Sequence, residues 1–156
     1  MCQVIKVADY FIRQADTGSG DVMTHLKLQK LLYFAQGHHL ALFDKPLFAD
    51  RIEAWAHGPV CPAIWQVFKV YGYKPIPASV AKSDIDSISR RIQGFLAEVW
   101  RVYGQFTAKR LEEMTHDPVD SPWRIVRGNL RAVDFCHAEI SKAKMQSYFS
   151  TLNATS

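Results

Sequence analysis

Residues 24–42 run Thr24-His25-Leu26-Lys27-Leu28-Gln29-Lys30-Leu31-Leu32-Tyr33-Phe34-Ala35-Gln36-Gly37-His38-His39-Leu40-Ala41-Leu42. Thr24 suits a helix N-cap, where its hydroxyl accepts from a backbone N–H of the first turn. Leu28, Leu31, Leu32, Ala35, His39 and Leu42 fall on one broad face at helical spacing. Leu26, Tyr33 and Leu40 widen that face. Lys27, Phe34, His38 and Ala41, with Lys30, form the narrow stripe that remains. A helix apolar over so much of its circumference belongs at the buried centre of a domain. The expected fold is mainly α: a single compact bundle around this central helix.

Working outward, Val4, Val7, Ala8, Phe11 and Ala15 recur at three- and four-residue steps, which predicts a helix over residues ~3–15. Asp16-Thr17-Gly18-Ser19-Gly20-Asp21 should break it. Downstream, Asp44-Lys45-Pro46 is a turn. Leu47-Phe48 and Ile52-Glu53-Ala54-Trp55 flank a polar stretch and are read as a short ribbon, which is marginal as two strands alone. His57-Gly58-Pro59 is a sharp loop. Pro62 suits the first turn of a third helix, with Gly72 just beyond its end. Lys74-Pro75-Ile76-Pro77 is an extended connector. Ile85, Ile88, Ile92, Phe95, Leu96, Val99 and Val102 give a clean helical pattern, with Asp84 as its cap and Gly104 at its end. Thr107 caps a further helix through Leu111 and Met114. Ser121-Pro122 opens a short one that closes near Gly128-Asn129. Met145, Tyr148, Phe149 and Leu152 mark a closing helix. The total is about seven helices with at most a small β ribbon. No internal repeat, linker or composition break divides residues 1–156, so one domain is expected.

The 156 residues are 48% hydrophobic and 22% charged, an ordinary globular balance able to bury a core. Lys6, Asp9 and Arg13 interrupt any apolar leader at the start. The longest uncharged stretch, Ala54 to Phe68, falls short of the ~20 residues that span a bilayer. These features predict a cytoplasmic protein without membrane association. The three cysteines, Cys2, Cys61 and Cys136, are scattered, and no CxxC pair is present. Neither a disulfide framework nor a zinc site is expected. A net charge of +4 favours acidic partners or nucleic acid without choosing between them.

Enzyme signatures are missing: there is no GxGxxG, GxxxxGK[ST], GxSxG or HExxH. His57 and Cys61 are four apart, but Gly58 and Pro59 intervene and oppose a helical dyad. His116-Asp117 reads as the close of a helix, and His38-His39 as packed, hydrogen-bonded residues. The sequence thus points to a non-enzyme with no cofactor, metal or catalytic residue.

Several segments together resemble one known family. Leu26-Lys27-Leu28-Gln29-Lys30-Leu31-Leu32-Tyr33-Phe34-Ala35-Gln36-Gly37 is similar to the signature helix of the SocA-like Panacea family, which includes phage-associated GepA-type proteins. Ile52-Glu53-Ala54-Trp55-Ala56-His57-Gly58-Pro59-Val60 looks like its second hallmark, in the family's order. Val99-Trp100-Arg101-Val102-Tyr103-Gly104, then Leu111 to His116, Pro122-Trp123 and Met145 to Phe149 fit its C-terminal pattern. The resemblance implies an antitoxin that neutralises the product of a neighbouring toxin gene, typically by direct binding. Two alternatives stay open: an adaptor that hands a bound partner to a protease, and a nucleic-acid-binding regulator. No added helix-turn-helix segment of the kind some relatives carry is visible, so built-in operator binding is not expected. Self-association is compatible with the sequence.

Candidate partner-binding residues are Lys30, Tyr33, Trp55, His57, His116, Trp123, Arg124 and Arg127. Trp55, beside the rigid His57-Gly58-Pro59 turn, suits a binding rim, since tryptophan covers much area at low entropy cost. Covering the core is the commoner role for Trp55 and Trp123 alike. Tyr33 reads as packed, and Lys30 as a solvated head on an apolar stem. Arg124, Arg127 and Arg131 near Trp123, with Arg90, Arg91 and Arg101, form either a phosphate-contacting patch or, more commonly, a solvated face. On a protein partner they would meet an acidic surface and set association rate.

Overall fold

The computed structural model describes residues 1–15 and 22–154. The expected break at Asp16 to Asp21 lies outside the described residues. Among them are seven α-helices, α1 (Val4–Ala15), α2 (His25–Phe43), α3 (Pro62–Phe68), α4 (Arg90–Tyr103), α5 (Ala108–His116), α6 (Pro122–Arg127) and α7 (Lys142–Ala154), together with three short strands. The fold is mainly α, as the sequence implies. No helix among the described residues is long and apolar enough to cross a membrane.

Helix α2 starts where predicted, with Thr24 Oγ1 accepting from Lys27 N at 3.2 Å. It is buried through nearly its whole length, Lys27 and Lys30 included. Its polar side chains serve the backbone of the segments around it. Gln29 Oε1 accepts from Cys61 N at 2.8 Å. One face further along, Gln36 Oε1 accepts from Leu47 N at 2.8 Å, and Gln36 Nε2 donates to Phe48 O at 2.8 Å. Lys27 Nζ donates to Gly104 O at 2.6 Å, satisfying a carbonyl at the end of α4. Buried polar groups must find partners; here each stitches a loop to the central helix. Gly37 lets α7 lie flush against α2: a Cβ there would sit 2.1 Å from Phe149 Cε2. Phe149 packs edge-on to Tyr33 and Phe34, and Phe34 stacks on Tyr103 at 4.2 Å.

Two expectations are corrected. Leu47-Phe48 is not a strand: Gln36 holds Leu47 N and Phe48 O, and Leu47 O accepts from Cys2 N. The ribbon is a three-stranded antiparallel sheet of order β2-β1-β3, built from β1 (Ile52–Trp55), β2 (Gly58–Val60) and β3 (Glu139–Ile140). Trp55 pairs with Gly58 and Glu53 with Val60 on one side; Ile52 pairs with Ile140 on the other. Nor does Asp84 cap α4. It accepts from Asp86 N and starts a separate 3-10 turn, Ile85–Ser87, while Ser89 caps α4 through Ile92 N.

Candidate functional site

The β1–β2 hairpin folds over α2 and against α5 and α6, and these four elements bring seven of the eight candidate residues into one layered cluster. At its floor is Lys30, with 0% exposure. This corrects the solvated-head expectation: the stem does pack, but the hairpin and α5 cover the head. Lys30 Nζ makes one long hydrogen bond, to Pro59 O at 3.4 Å. Burial pushes its ammonium down to about 7, against the opposing pull of the Glu112 carboxylate. Gly58 lies directly above, at φ +109°, a conformation L side chains rarely adopt. A Cβ on Gly58 would meet Lys30 Cε at 2.7 Å and Thr115 Oγ1 at 3.2 Å.

The middle layer is aromatic and cationic. His116 stacks face to face on Trp123, centroids 3.8 Å apart. Burial, and secondarily the Lys30 charge, lower the His116 pKa to about 4, so its ring is neutral at physiological pH. Its Nε2 is buried with no hydrogen-bond partner. Trp123 Nε1 donates to Trp55 O at 2.6 Å, fixing α6 to the hairpin. Arg127 lies over the Trp123 ring at 4.9 Å and is only 4% exposed. It donates to Ala54 O at 3.0 Å, Arg131 O at 2.6 Å and Asp134 O at 2.8 Å. Arg127 is thereby committed to gathering the 131–134 loop. Arg124, exposed, donates to His116 O and Asp117 O at the end of α5.

The outer layer is a strip of aromatic rings. Trp55 is half-buried and donates through Nε1 to Glu53 Oε1 at 2.8 Å. Its ring lies 5.5 Å from Trp65 on α3 and 5.1 Å from His137. His137 in turn stacks parallel to Phe135 at 5.6 Å, and Phe135 is 87% exposed. His57 is exposed at the hairpin tip, 3.9 Å from Glu112 Oε1. Of the candidates, Trp55, His57 and Arg124 reach the surface. Lys30, Trp123 and Arg127 are buried beneath them, and His116 is partly covered. Tyr33 stands apart, between α2 and α7, with its hydroxyl buried and unpartnered.

Sequence reasoning missed Trp65, Phe135 and His137. The Trp65 spacing on a short helix was legible; the other two lie in a loop with no periodicity. The cluster has little catalytic equipment. Burial pushes the Cys61 thiol up to about 11, away from the nucleophilic thiolate. Among the described residues no group of three or more His, Cys, Asp or Glu could hold a metal ion.

Comparison with known proteins matches this construction. The profile described as "Antitoxin SocA-like, Panacea domain" matches residues 28–124, from the first turn of α2 into α6. Antitoxin SocA of Caulobacter vibrioides (strain NA1000 / CB15N) is 32% identical to this chain, over 67% of the chain and 60% of that relative's length. The match thus spans less than two thirds of that curated relative. No solved structure matches. The matched span holds most of the central helix, the hairpin it carries, α5 and the start of α6, and the chain belongs to the family described as "Antitoxin SocA-like, Panacea domain".

Proposed function

We propose that this protein neutralises a cognate toxin by binding it directly and covering the surface the toxin works with. The observation that carries the reading is the strip Phe135–His137–Trp55–Trp65, partly or fully exposed and held on a fully packed floor. Rigid aromatic surfaces bind proteins tightly because few rotamers are lost and much area is covered. His57 and Arg124 flank the strip and supply a polar rim. The buried members, Lys30, His116, Trp123 and Arg127, hold the hairpin in place. Arg127 donates to protein carbonyls and so is not free to grip phosphate, which favours a protein partner over nucleic acid.

The test begins with the gene adjacent to this one. Its product should arrest growth when expressed alone and lose that effect when this chain is co-expressed. The two purified proteins should form a complex that Trp55→Ala weakens. A harmless neighbour product, or rescue without any complex, defeats the reading. Toxin half-life separates occlusion from delivery to a protease: occlusion leaves it unchanged or longer, delivery shortens it.

A further inference from the structure

The aromatic strip is built over a carboxylate that it hides. Arg51, Glu53 and Trp55 are spaced two apart along β1 and its approach, which puts them on one side of the strand. Glu53 sits mid-sheet, opposite Val60 of β2 and Glu139 of β3. Its side chain is only 4% exposed, and three groups close over it. Trp55 Nε1 donates to Glu53 Oε1 at 2.8 Å. His137 Nδ1 lies 3.6 Å from the same oxygen. Arg51 Nε holds Oε2 at 2.6 Å. The carboxylate is covered, yet each of its partners reaches the surface: Arg51 and His137 are exposed, and Trp55 is half-buried.

A buried carboxylate is costly, and an apolar side chain of the same size often packs as well or better. What the carboxylate adds here is direction. An indole has one hydrogen-bonding group, its N–H. With that donor turned inward to Glu53, Trp55 offers a partner only its ring. A hydrogen bond to an ionised acceptor is stronger than one to a neutral acceptor, and this one restrains both side-chain torsions of Trp55. His137, beside the same oxygen, lies against Trp55 and parallel to Phe135. The order of the rings is thereby set from beneath. Immobilising side chains is one of the costs of association, and rings held in place beforehand avoid it.

We propose that Glu53 is the positioning residue of the toxin-binding face: from beneath the strip it fixes the Trp55 ring for the toxin, which it does not itself touch. The proposal rests on the antitoxin reading. The test is a double-mutant cycle on affinity for the purified neighbour-gene product, using Glu53→Met, Trp55→Phe and the two together, with thermal melts as fold controls. Methionine keeps the bulk of Glu53 without its acceptor; phenylalanine keeps a ring without the N–H that Glu53 holds. Glu53→Met is expected to weaken binding about tenfold in the wild-type background, and by at least threefold less where Trp55 is already Phe. The Trp55 indole N–H resonance, assigned by its loss in Trp55→Phe, should move upfield in Glu53→Met with no toxin present. A residue that served only sheet stability would lower the melt and leave the cycle additive. Should Glu53→Met fail to fold, Glu53→Gln decides: its neutral oxygen should shift the same resonance and weaken binding by about threefold. Unchanged affinity, an unmoved resonance, or the same loss in both backgrounds overturns the proposal. Failure of the wild-type chain to bind removes the antitoxin reading and this role with it. Wild-type binding that Trp55→Ala weakens, but that the Glu53 variants leave intact, removes the role of Glu53 alone.

Discussion

Lys30→Met is expected to make the protein more stable at neutral pH, by an amount that fades as pH rises. The Lys30 ammonium is fully buried, has one long hydrogen bond, and is pushed from 10.5 to about 7, chiefly by loss of water. At about 1.4 kcal/mol per tenfold, that fall corresponds to a penalty on the order of 5 kcal/mol for keeping the charge inside. Methionine preserves most of the stem packing but forfeits the Pro59 hydrogen bond, so a net gain of about 2–4 kcal/mol is expected at pH 7. The folded amine releases its proton near pH 7 and the unfolded one near 10.5. Between those values the unfolded chain holds the extra proton, so wild-type stability rises with pH. Below pH 7 both states are protonated and the penalty is complete. Urea denaturation at steps from pH 6 to 10, followed by tryptophan fluorescence, gives the stability of both proteins. Subtracting one curve from the other cancels the tyrosines, cysteines and histidines they share. The advantage of the variant should hold steady below pH 7 and shrink steadily toward pH 10. A difference that stays flat over pH 7–10, or a variant less stable throughout, would refute the claim that Lys30 is buried at the cost of its charge.

Gly58→Ala should destabilise by about 3 kcal/mol in chemical denaturation, from backbone strain at φ +109° and displacement of the Lys30 stem. Gly72→Ala, at φ +56° and ψ −121° with open space around it, should lose about 1–3 kcal/mol from backbone strain alone. Gly94→Ala, in the middle of α4 with nothing near the new methyl, should raise stability by about 0.5–1 kcal/mol. Burial lowers both His25 and His116 to about 4. Below their unfolded pKa of about 6.5 the unfolded chain takes up protons that the folded one refuses. Stability should therefore fall as pH drops from 6.5 to 4, and NMR titration should find both rings still neutral at pH 5.5.

The central helix was legible because its own composition declares its burial: almost no face is left for water. The caps at Thr24, Thr107 and Ser121 were legible for the same local reason, a short polar side chain before a periodic run. Asp84 and Ser89 are both competent caps five residues apart, and only the packing of the chain between them decides which one opens α4. The ribbon went astray because β3 is two residues long and arrives from more than eighty positions away, with no pattern to announce it. Lys30 was misjudged because nothing local reveals that a hairpin and another helix will cover it. Of the candidate site, Trp55, Trp123 and the glycine turn were readable from residue type. The strip to His137 and Phe135 exists only through tertiary juxtaposition.

The seat that Gly37 provides for Phe149 has a consequence for how the molecule is made. The leucine-rich axle is translated early, and the ring that seals it arrives roughly a hundred residues later, about 5–20 s at ordinary elongation rates. Throughout that interval the nascent chain carries an open apolar ridge. A stalled or truncated product that stops short of Lys142 would keep the ridge open for good, and quality-control machinery recognises such surfaces. Only chains completed past α7 then add to the supply of folded protein.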